Sequence, residues 1–483
     1  MPIQLQVVQR VVGALLTLFS ASMLTPMLVD LLYGDDAWFP FLGAFVATCG
    51  VGLALFLPVR RERGQLRLRD GFVVVVLFWA VLGIFGGLPF LLHEPLDLTV
   101  SQAIFESMSG LTTTGATLIV GLDALPHSIL FYRQQMQWLG GMGIIVLAIA
   151  VLPMLGIGGQ QLFRAETPGI SKDKLTPRIA QTAKALWYIY LGLTVSCAVA
   201  YALAGMSVFD ALGHAFSTVA IGGFSTHDNS IGYFDSSLIE MIATFFMFLS
   251  GANFALHFAA VRSLDGRSYL RDEEFRVYAA ILLTLTVIVA GYLFLTGTSD
   301  AKDAFVNGLF HVVSIGSTTG FTSEAYFEWP TFLPVLLLFA SFIGGCTGST
   351  GGGMKVLRVL LLYKQAQREL RRLLHPNAKI MVKVGGKAMS NPMIDVVWGF
   401  FAAYVALLTI MLLLLMAAGL DQESAFSAVV ACLNNLGPGL GVVAANYSTL
   451  GDFELLVLSS AMLFGRLEIF TLLVLFTPTF WRR

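Results

Sequence analysis

The chain has 483 residues, of which 56% are hydrophobic and 12% charged, with a formal net charge of −1 and a mean hydropathy of +0.78. A soluble domain carries about 25% charged residues, so this composition excludes an ordinary soluble protein and places most of the chain in a bilayer. The four cysteines (Cys49, Cys197, Cys346, Cys432) form no CxxC and the seven histidines no HExxH, which excludes a disulfide framework or a zinc site, and the near-zero charge gives no basis for a nucleic-acid partner.

Arg10 followed by VVGALLTLFSASM has the outline of a signal peptide, but the apolar run continues to Tyr33, long enough to span, so an uncleaved first helix is expected. Apolar runs predict spans at 10–33, 38–58, 71–92, 128–156, 183–204, 236–261, 276–296, 331–343 resuming at 354–364, 393–418 and 453–477. If the spans alternate, the basic clusters fall on one side. They are Arg60, Arg61, Arg63, Arg67 and Arg69; Arg164, Lys172, Lys174, Arg178 and Lys184; Arg262, Arg267, Arg271 and Arg276; Lys355 to Lys387; and Arg482 with Arg483. The other side carries Lys302 and acids such as Asp35, Asp36 and Asp123. The basic loops are the cytoplasmic ones, which predicts both termini inside.

The outer links after spans three, five, seven and nine are too short and broken to be further spans. They read QAIFESMSGLTTTGAT (Gln102–Thr117), FDALGHAFSTVAIGGFST (Phe209–Thr226), VNGLFHVVSIGSTTGFTS (Val306–Ser323) and ESAFSAVVACLNNLGPGL (Glu423–Leu440). In each, a helix-compatible stretch precedes a turn and then Gly115, Gly223, Gly320 or Gly437. Recurrence at roughly every hundred residues is an internal repeat, whose unit is span, short re-entrant helix, glycine turn, span. Irregular backbone at membrane depth is tolerated only where protein buries it or where it lines a cavity. Four such turns about one axis would present carbonyls able to replace a cation's hydration shell. None of the turns is acidic, which suits a weakly hydrated monovalent ion such as potassium better than calcium or magnesium.

The turns LTTTGAT, VAIGGFST, STTGFTS and NNLGPG, with QWLGGMGI, GGCTGSTGGGMK and MLFGRLE, make the chain similar to the Trk/Ktr/HKT potassium transporters, and to their TrkH branch in particular. The likeness covers nearly the whole chain, including two leading spans that shorter members lack. It implies an all-α membrane fold of four pseudo-repeats of helix, pore helix, filter turn and helix around one pore. The expected division is 1–70 for two leading helices, then repeats at 71–182, 183–275, 276–390 (carrying a glycine-rich intramembrane loop) and 391–483. By match, the filter carbonyls belong to Thr112, Thr113, Thr114 and Gly115; Val219, Ala220, Ile221, Gly222 and Gly223; Ser317, Thr318, Thr319 and Gly320; and Asn434, Asn435, Leu436 and Gly437. Glycine at 115, where sodium-preferring plant relatives carry serine, implies potassium. Pro438 after the fourth glycine departs from the Gly-Phe of turns two and three and predicts an asymmetric ring. The resemblance further implies a homodimer with a pore in each subunit, a bacterial inner membrane, and a cytosolic nucleotide-binding regulator of the TrkA type. The chain itself carries no nucleotide-binding domain, and no cofactor beyond the transported ion is expected. The basic stretch Lys355–Lys387 is the candidate docking face, or a contact with anionic lipid.

FIGGCTGSTGGGMK (Phe342–Lys355) interrupts the span after the third turn. Glycine costs roughly 0.8–1.0 kcal/mol against alanine inside a helix, so Gly351, Gly352 and Gly353 predict a loop at membrane depth facing the pore. Gly345, Gly348, Gly351, Gly352, Gly353 and Lys355 are assigned to a gate. A pair such as Gly344 and Gly348 reads equally as close helix packing. The missing Gly-Lys-Ser/Thr excludes a Walker loop. Arg466, central in a span, completes the gate as a positive barrier below the filter; the competing reading is an ion pair with Glu468 or Glu240. Arg133 is expected to snorkel or pack, and Glu106, Glu240 and Glu468 stand isolated, which argues for a passive pore over a proton relay. The expected function is potassium uptake through a gated, channel-like pore. The alternatives are a secondary transporter of an organic solute or an ion-coupled cation symporter. Clustered catalytic or metal-ligating residues, which an enzyme would need, are not seen.

Overall fold

The four outer links begin as helices because each is capped. Thr99, Ser207, Asp300 and Asp421 precede the helices Val100–Leu111, Val208–Ala220, Ala301–Gly316 and Gln422–Leu433, and their side chains accept from the backbone N–H of Gln102, Asp210, Asp303 and Ser424. These helices have 12 to 16 residues, about 18–24 Å at 1.5 Å per residue. The hydrocarbon core is about 30 Å thick, so the helices are too short to cross it.

A computed structural model describes residues 3–62, 64, 67–150 and 175–482. Among them, six helices are long and apolar enough to cross a membrane: Leu5–Tyr33, Trp38–Val59, Arg69–Leu92, Thr182–Leu203, Glu273–Leu295 and Asn391–Ala417. They match the expected spans within a few residues. His127–Ala150 fills the fourth as far as the described residues go. Arg63, Arg164, Lys172, Lys174 and Arg483 lie outside the described residues.

Two expected spans are not continuous. Ser237–Ser250 and Phe254–Ser263 meet at 94°, and Asp452–Arg466 and Phe470–Phe476 at 108°. At the first break Asn253 caps a new helix by accepting from the Ala255 N–H at 2.8 Å. There Cys346 N–H donates to Gly251 O at 2.8 Å and Phe254 N–H to Gly348 O at 3.1 Å, so the glycine-rich loop occupies groups that a continuous helix would satisfy itself. At the second break Glu468 and Ile469 have φ of 56° and 43°, a left-handed turn that a right-handed helix cannot pass through. The span after the third turn is interrupted as expected: Phe332–Ser341 stops before the glycines and the chain becomes helical again at Val356.

Large side chains gather in two buried clusters. One holds Trp79, Phe105, Tyr132 and Tyr447, and the other Tyr190, Tyr278, Phe310 and Tyr326. The outer faces of the spans leave Leu203, Leu283, Val287 and Leu413 exposed, as a lipid solvent permits and water does not. Beyond the helix Val356–Leu374, the basic stretch contains a hairpin, Lys383–Val384 with Lys387–Ala388. Gly385 and Gly386 turn it at φ 55° and 78°, the two positive values a type I′ turn needs.

Candidate functional site

Each short helix ends in the same way. The N–H groups of Thr114, Gly222, Thr319 and Leu436 donate to Ser109, Ser217, Ser314 and Ala431 at 2.7–2.9 Å, and those of Thr113, Ile221, Thr318 and Asn435 to Gly110, Thr218, Ile315 and Cys432 at 3.0–3.2 Å. These are the paired bonds of a Schellman motif, which needs a left-handed residue. Thr113, Ile221, Thr318 and Asn435 supply it with φ of 53°, 54°, 71° and 53°. Three of them are β-branched, for which this conformation is an outlier costing on the order of 1–3 kcal/mol each; the surrounding packing holds them there. Gly115, Gly223, Gly320 and Gly437 then turn the chain again at φ of 81°, 78°, 85° and 100°.

The four turns close into a ring. A Cβ on Gly115 would lie 2.1 Å from Gly222 O, one on Gly223 2.1 Å from Thr319 O, one on Gly320 2.1 Å from Leu436 O, and one on Gly437 2.7 Å from Thr114 O. Turn one thus meets turn two, two meets three, three meets four, and four returns to one. The wider last contact adjoins Pro438, the residue that breaks the sequence repeat. All four glycines line a single vestibule of about 460 Å³. Behind the ring the hydroxyls are knit together: Thr112 Oγ1 to Thr114 Oγ1 and Ser317 Oγ to Thr319 Oγ1, each at 2.8 Å. Asn435 Nδ2 donates to Thr114 Oγ1 at 3.0 Å, tying turn four to turn one. Val219, Ala220, Ile221 and Leu436 back the ring as buried apolar residues. Gln137 brackets turn two, donating to Gly222 O at 2.6 Å and accepting from Phe224 N–H at 3.1 Å.

Residues at the same offset before the glycines prop the chain that leaves the ring. Glu106 accepts from Thr117 Oγ1 at 2.9 Å and Leu118 N–H at 3.1 Å. His214 Nε2 lies 2.9 Å from Ser225 Oγ, and His311 Nε2 accepts from Ser323 N–H at 3.4 Å. Glu106 is therefore not isolated, and Arg133 neither snorkels nor merely packs. Arg133 Nε donates to Glu106 Oε1 at 2.8 Å, with both side chains buried. Its other nitrogens donate to Ser225 O at 3.2 Å and Thr117 Oγ1 at 2.9 Å, bridging turns one and two. The signal was in the sequence: a carboxylate in a pore helix and an arginine in the following span, two charges that hydrocarbon would force to pair. Removing one partner of a buried pair costs about 3–5 kcal/mol. Glu106→Gln and Arg133→Gln should each lower the melting temperature in detergent sharply, and the double variant should recover part of the loss; additive losses would show that the two groups act independently.

The glycine-rich loop lies against the inner end of the ring. Thr350 Oγ1 donates to Val219 O at 3.0 Å, Gly353 N–H to Asn434 O at 3.0 Å and Gly352 N–H to Thr318 Oγ1 at 2.7 Å. A Cβ on Gly351 would lie 2.8 Å from Ser317 O. The loop thus touches turns two, three and four. Gly344, Gly348 and Gly353 have φ of 68°, 76° and 72°, so Gly344 and Gly348 make turns and are not helix-packing glycines. Gly345 O accepts from Val356 N–H at 3.1 Å, closing the loop at its base. Lys355 Nζ donates to Gly351 O.

Arg466 is buried and donates through Nη1 to Thr350 O at 3.0 Å, so it holds the loop's tip from below. Its Nε and Nη2 find no hydrogen-bond partner among the described residues, and the guanidinium lies over the Trp79 ring at 6.0 Å. It pairs with neither Glu468 nor Glu240. Glu468 instead binds Arg358 Nη2 at 2.6 Å, which corrects its expected isolation and joins the helix after the loop to the break in the last span. Sequence reasoning passed over Arg358, although an arginine inside VLRVLLLY called for a partner. Lys355, Arg358 and Arg466 set three cationic side chains beneath the ring.

The family described as "TrkH: Cation transport protein" matches residues 39–483. The chain is 57% identical over 484 residues to the Trk system potassium uptake protein TrkH of Vibrio parahaemolyticus, covering 99% of this chain and 100% of that one. It is 55% identical to the protein of the same name from Salmonella typhimurium, over 98% of this chain and 99% of that one. The crystal structure of the potassium transporter TrkH from Vibrio parahaemolyticus superposes with a TM-score of 0.93 at 55% identity, covering 99% of this chain and 100% of that one. The chain belongs to the TrkH family.

Proposed function

We propose that this member of the TrkH family takes up potassium through a pore whose filter is the ring of Gly115, Gly223, Gly320 and Gly437 and whose gate is the loop Gly345–Lys355. The observation that carries the reading is the closed ring opening onto one vestibule, with a glycine-rich loop bonded across its inner end. Backbone dipoles at the ring replace water around a dehydrated alkali ion, and the membrane potential drives entry with about 2.3 kcal/mol per charge per 100 mV. A secondary transporter built from two inverted halves is not matched by four turns in one sense. Thallium or rubidium influx into proteoliposomes tests the reading. Influx that potassium competes away supports it, and none, with or without a cytosolic regulator, counts against it.

The same reading places the protein in a bacterial inner membrane as a homodimer with both termini cytoplasmic. A cytosolic nucleotide-binding regulator of the TrkA type docks on the basic segment that follows the loop, where Arg371, Arg372, Lys383 and Lys387 are exposed or partly so, and anionic lipid lies against the same face. Deleting residues 376–389 should abolish capture of that regulator in a pull-down while leaving membrane insertion intact.

A further inference from the structure

We propose that Glu274 is the latch of the gate loop, a positioning residue that holds the loop shut from the side away from the filter. The inference rests on reading that loop as the gate. Glu274 is the second residue of the helix Glu273–Leu295 and is buried, with 7% of its surface exposed. Its Oε1 accepts from Thr347 N–H at 2.6 Å, Thr347 Oγ1 at 3.1 Å and Leu357 N–H at 3.1 Å. Thr347 lies on the limb that enters the loop and Leu357 just past the limb that leaves it. One oxygen therefore grips both ends of the segment that carries Thr350, Gly351, Gly352, Gly353 and Lys355.

Glu274 makes no ion pair among the described residues. An unpaired buried carboxylate is costly unless hydrogen bonds compensate it, and here the three donors are the loop's own base. Opening the loop by drawing Thr347 away from Leu357 strips the buried carboxyl group of these partners, and that loss resists opening. Arg466 holds the tip through Thr350 and Glu274 the base, at opposite ends of the same segment. The neighbouring Glu273 accepts from Lys364 Nζ and from Gly385 N–H, so the helix start that anchors the loop is also fixed to the basic hairpin.

The test is basal thallium influx into proteoliposomes holding the full chain without a regulator. Glu274→Ala should raise influx on the order of tenfold, which is about 1.4 kcal/mol in the gate's equilibrium. Glu274→Gln, which keeps an acceptor oxygen, should raise it less. Thr347→Val, which removes one donor and keeps the charge, should also raise it, and it carries the test if the alanine variant does not incorporate. A fold lost to mutation lowers influx, so a rise separates a latch from a structural prop. Wild-type influx in Glu274→Ala (or in Thr347→Val, should that variant stand in) while Arg466→Ala rises overturns the latch and leaves the gate. Wild-type influx in all of them overturns both.

Discussion

Gly223→Ala is expected to abolish potassium uptake in a strain that depends on this protein, with the chain still present in the membrane. A Cβ there lies 2.1 Å from Thr319 O, well inside van der Waals contact, and the position has φ 78°. The left-handed conformation alone costs alanine about 1–2 kcal/mol. The clash matters more, because relief of it must push the third turn away from the axis. A loss of about 3 kcal/mol in ion-site energy is roughly a hundredfold in flux. Gly115→Ala and Gly320→Ala meet the same 2.1 Å contacts with Gly222 O and Leu436 O, whereas at Gly437 the distance to Thr114 O is 2.7 Å. The fourth position should therefore be the least severe of the four under rubidium uptake. Equal tolerance of alanine at all four would mean that the ring is packing and not a filter.

Arg466→Ala should raise flux. The guanidinium bonds the loop through Thr350 O and adds a buried positive charge beneath the path of a cation. At roughly 8 Å and an effective dielectric of about 20, such a charge opposes a monovalent cation by about 2 kcal/mol, about thirtyfold in rate. Removing it also frees the loop's tip. Arg466→Lys separates the two contributions, since it keeps the charge and loses the fork that reaches Thr350. Flux close to wild type in the lysine variant would assign the barrier to charge, and flux close to the alanine variant would assign it to the bond. Unchanged influx in Arg466→Ala, at equal incorporation, would remove the arginine from the gate.

The spans and the re-entrant helices were legible because bilayer length leaves few choices: the links after spans three, five, seven and nine are too short to cross, and Gly115, Gly223, Gly320 and Gly437 mark where they turn. The glycine-rich interruption was legible for the same reason, since Gly351 to Gly353 cannot hold a helix. What was not legible depended on long-range pairing. Nothing local to Glu468 announces a bend of about a right angle, and at Gly251 the bend depends on the glycine-rich loop, which takes over hydrogen bonds that a continuous helix would make itself. Arg133 looked peripheral because its distance from the ring is visible only once the span is packed beside Glu106. Gly344 and Gly348 were ambiguous because glycine serves helix contacts and turns alike, and only φ distinguishes them. The turn residues Thr113, Ile221 and Thr318 are the reverse case. Their side chains argue against left-handed backbone, and the packing overrides them.

The central claim is that a bare cation sits among the four turns. Crystals of the protein grown with rubidium or thallium in place of potassium, measured at the absorption edge of the heavy ion, test it most directly. Anomalous density on the axis between Gly115, Gly223, Gly320 and Gly437, above the loop that Thr350 and Gly353 fasten, is the predicted result. Density only in the vestibule around Arg133 and Asp228, with the ring vacant at saturating ion, would contradict it.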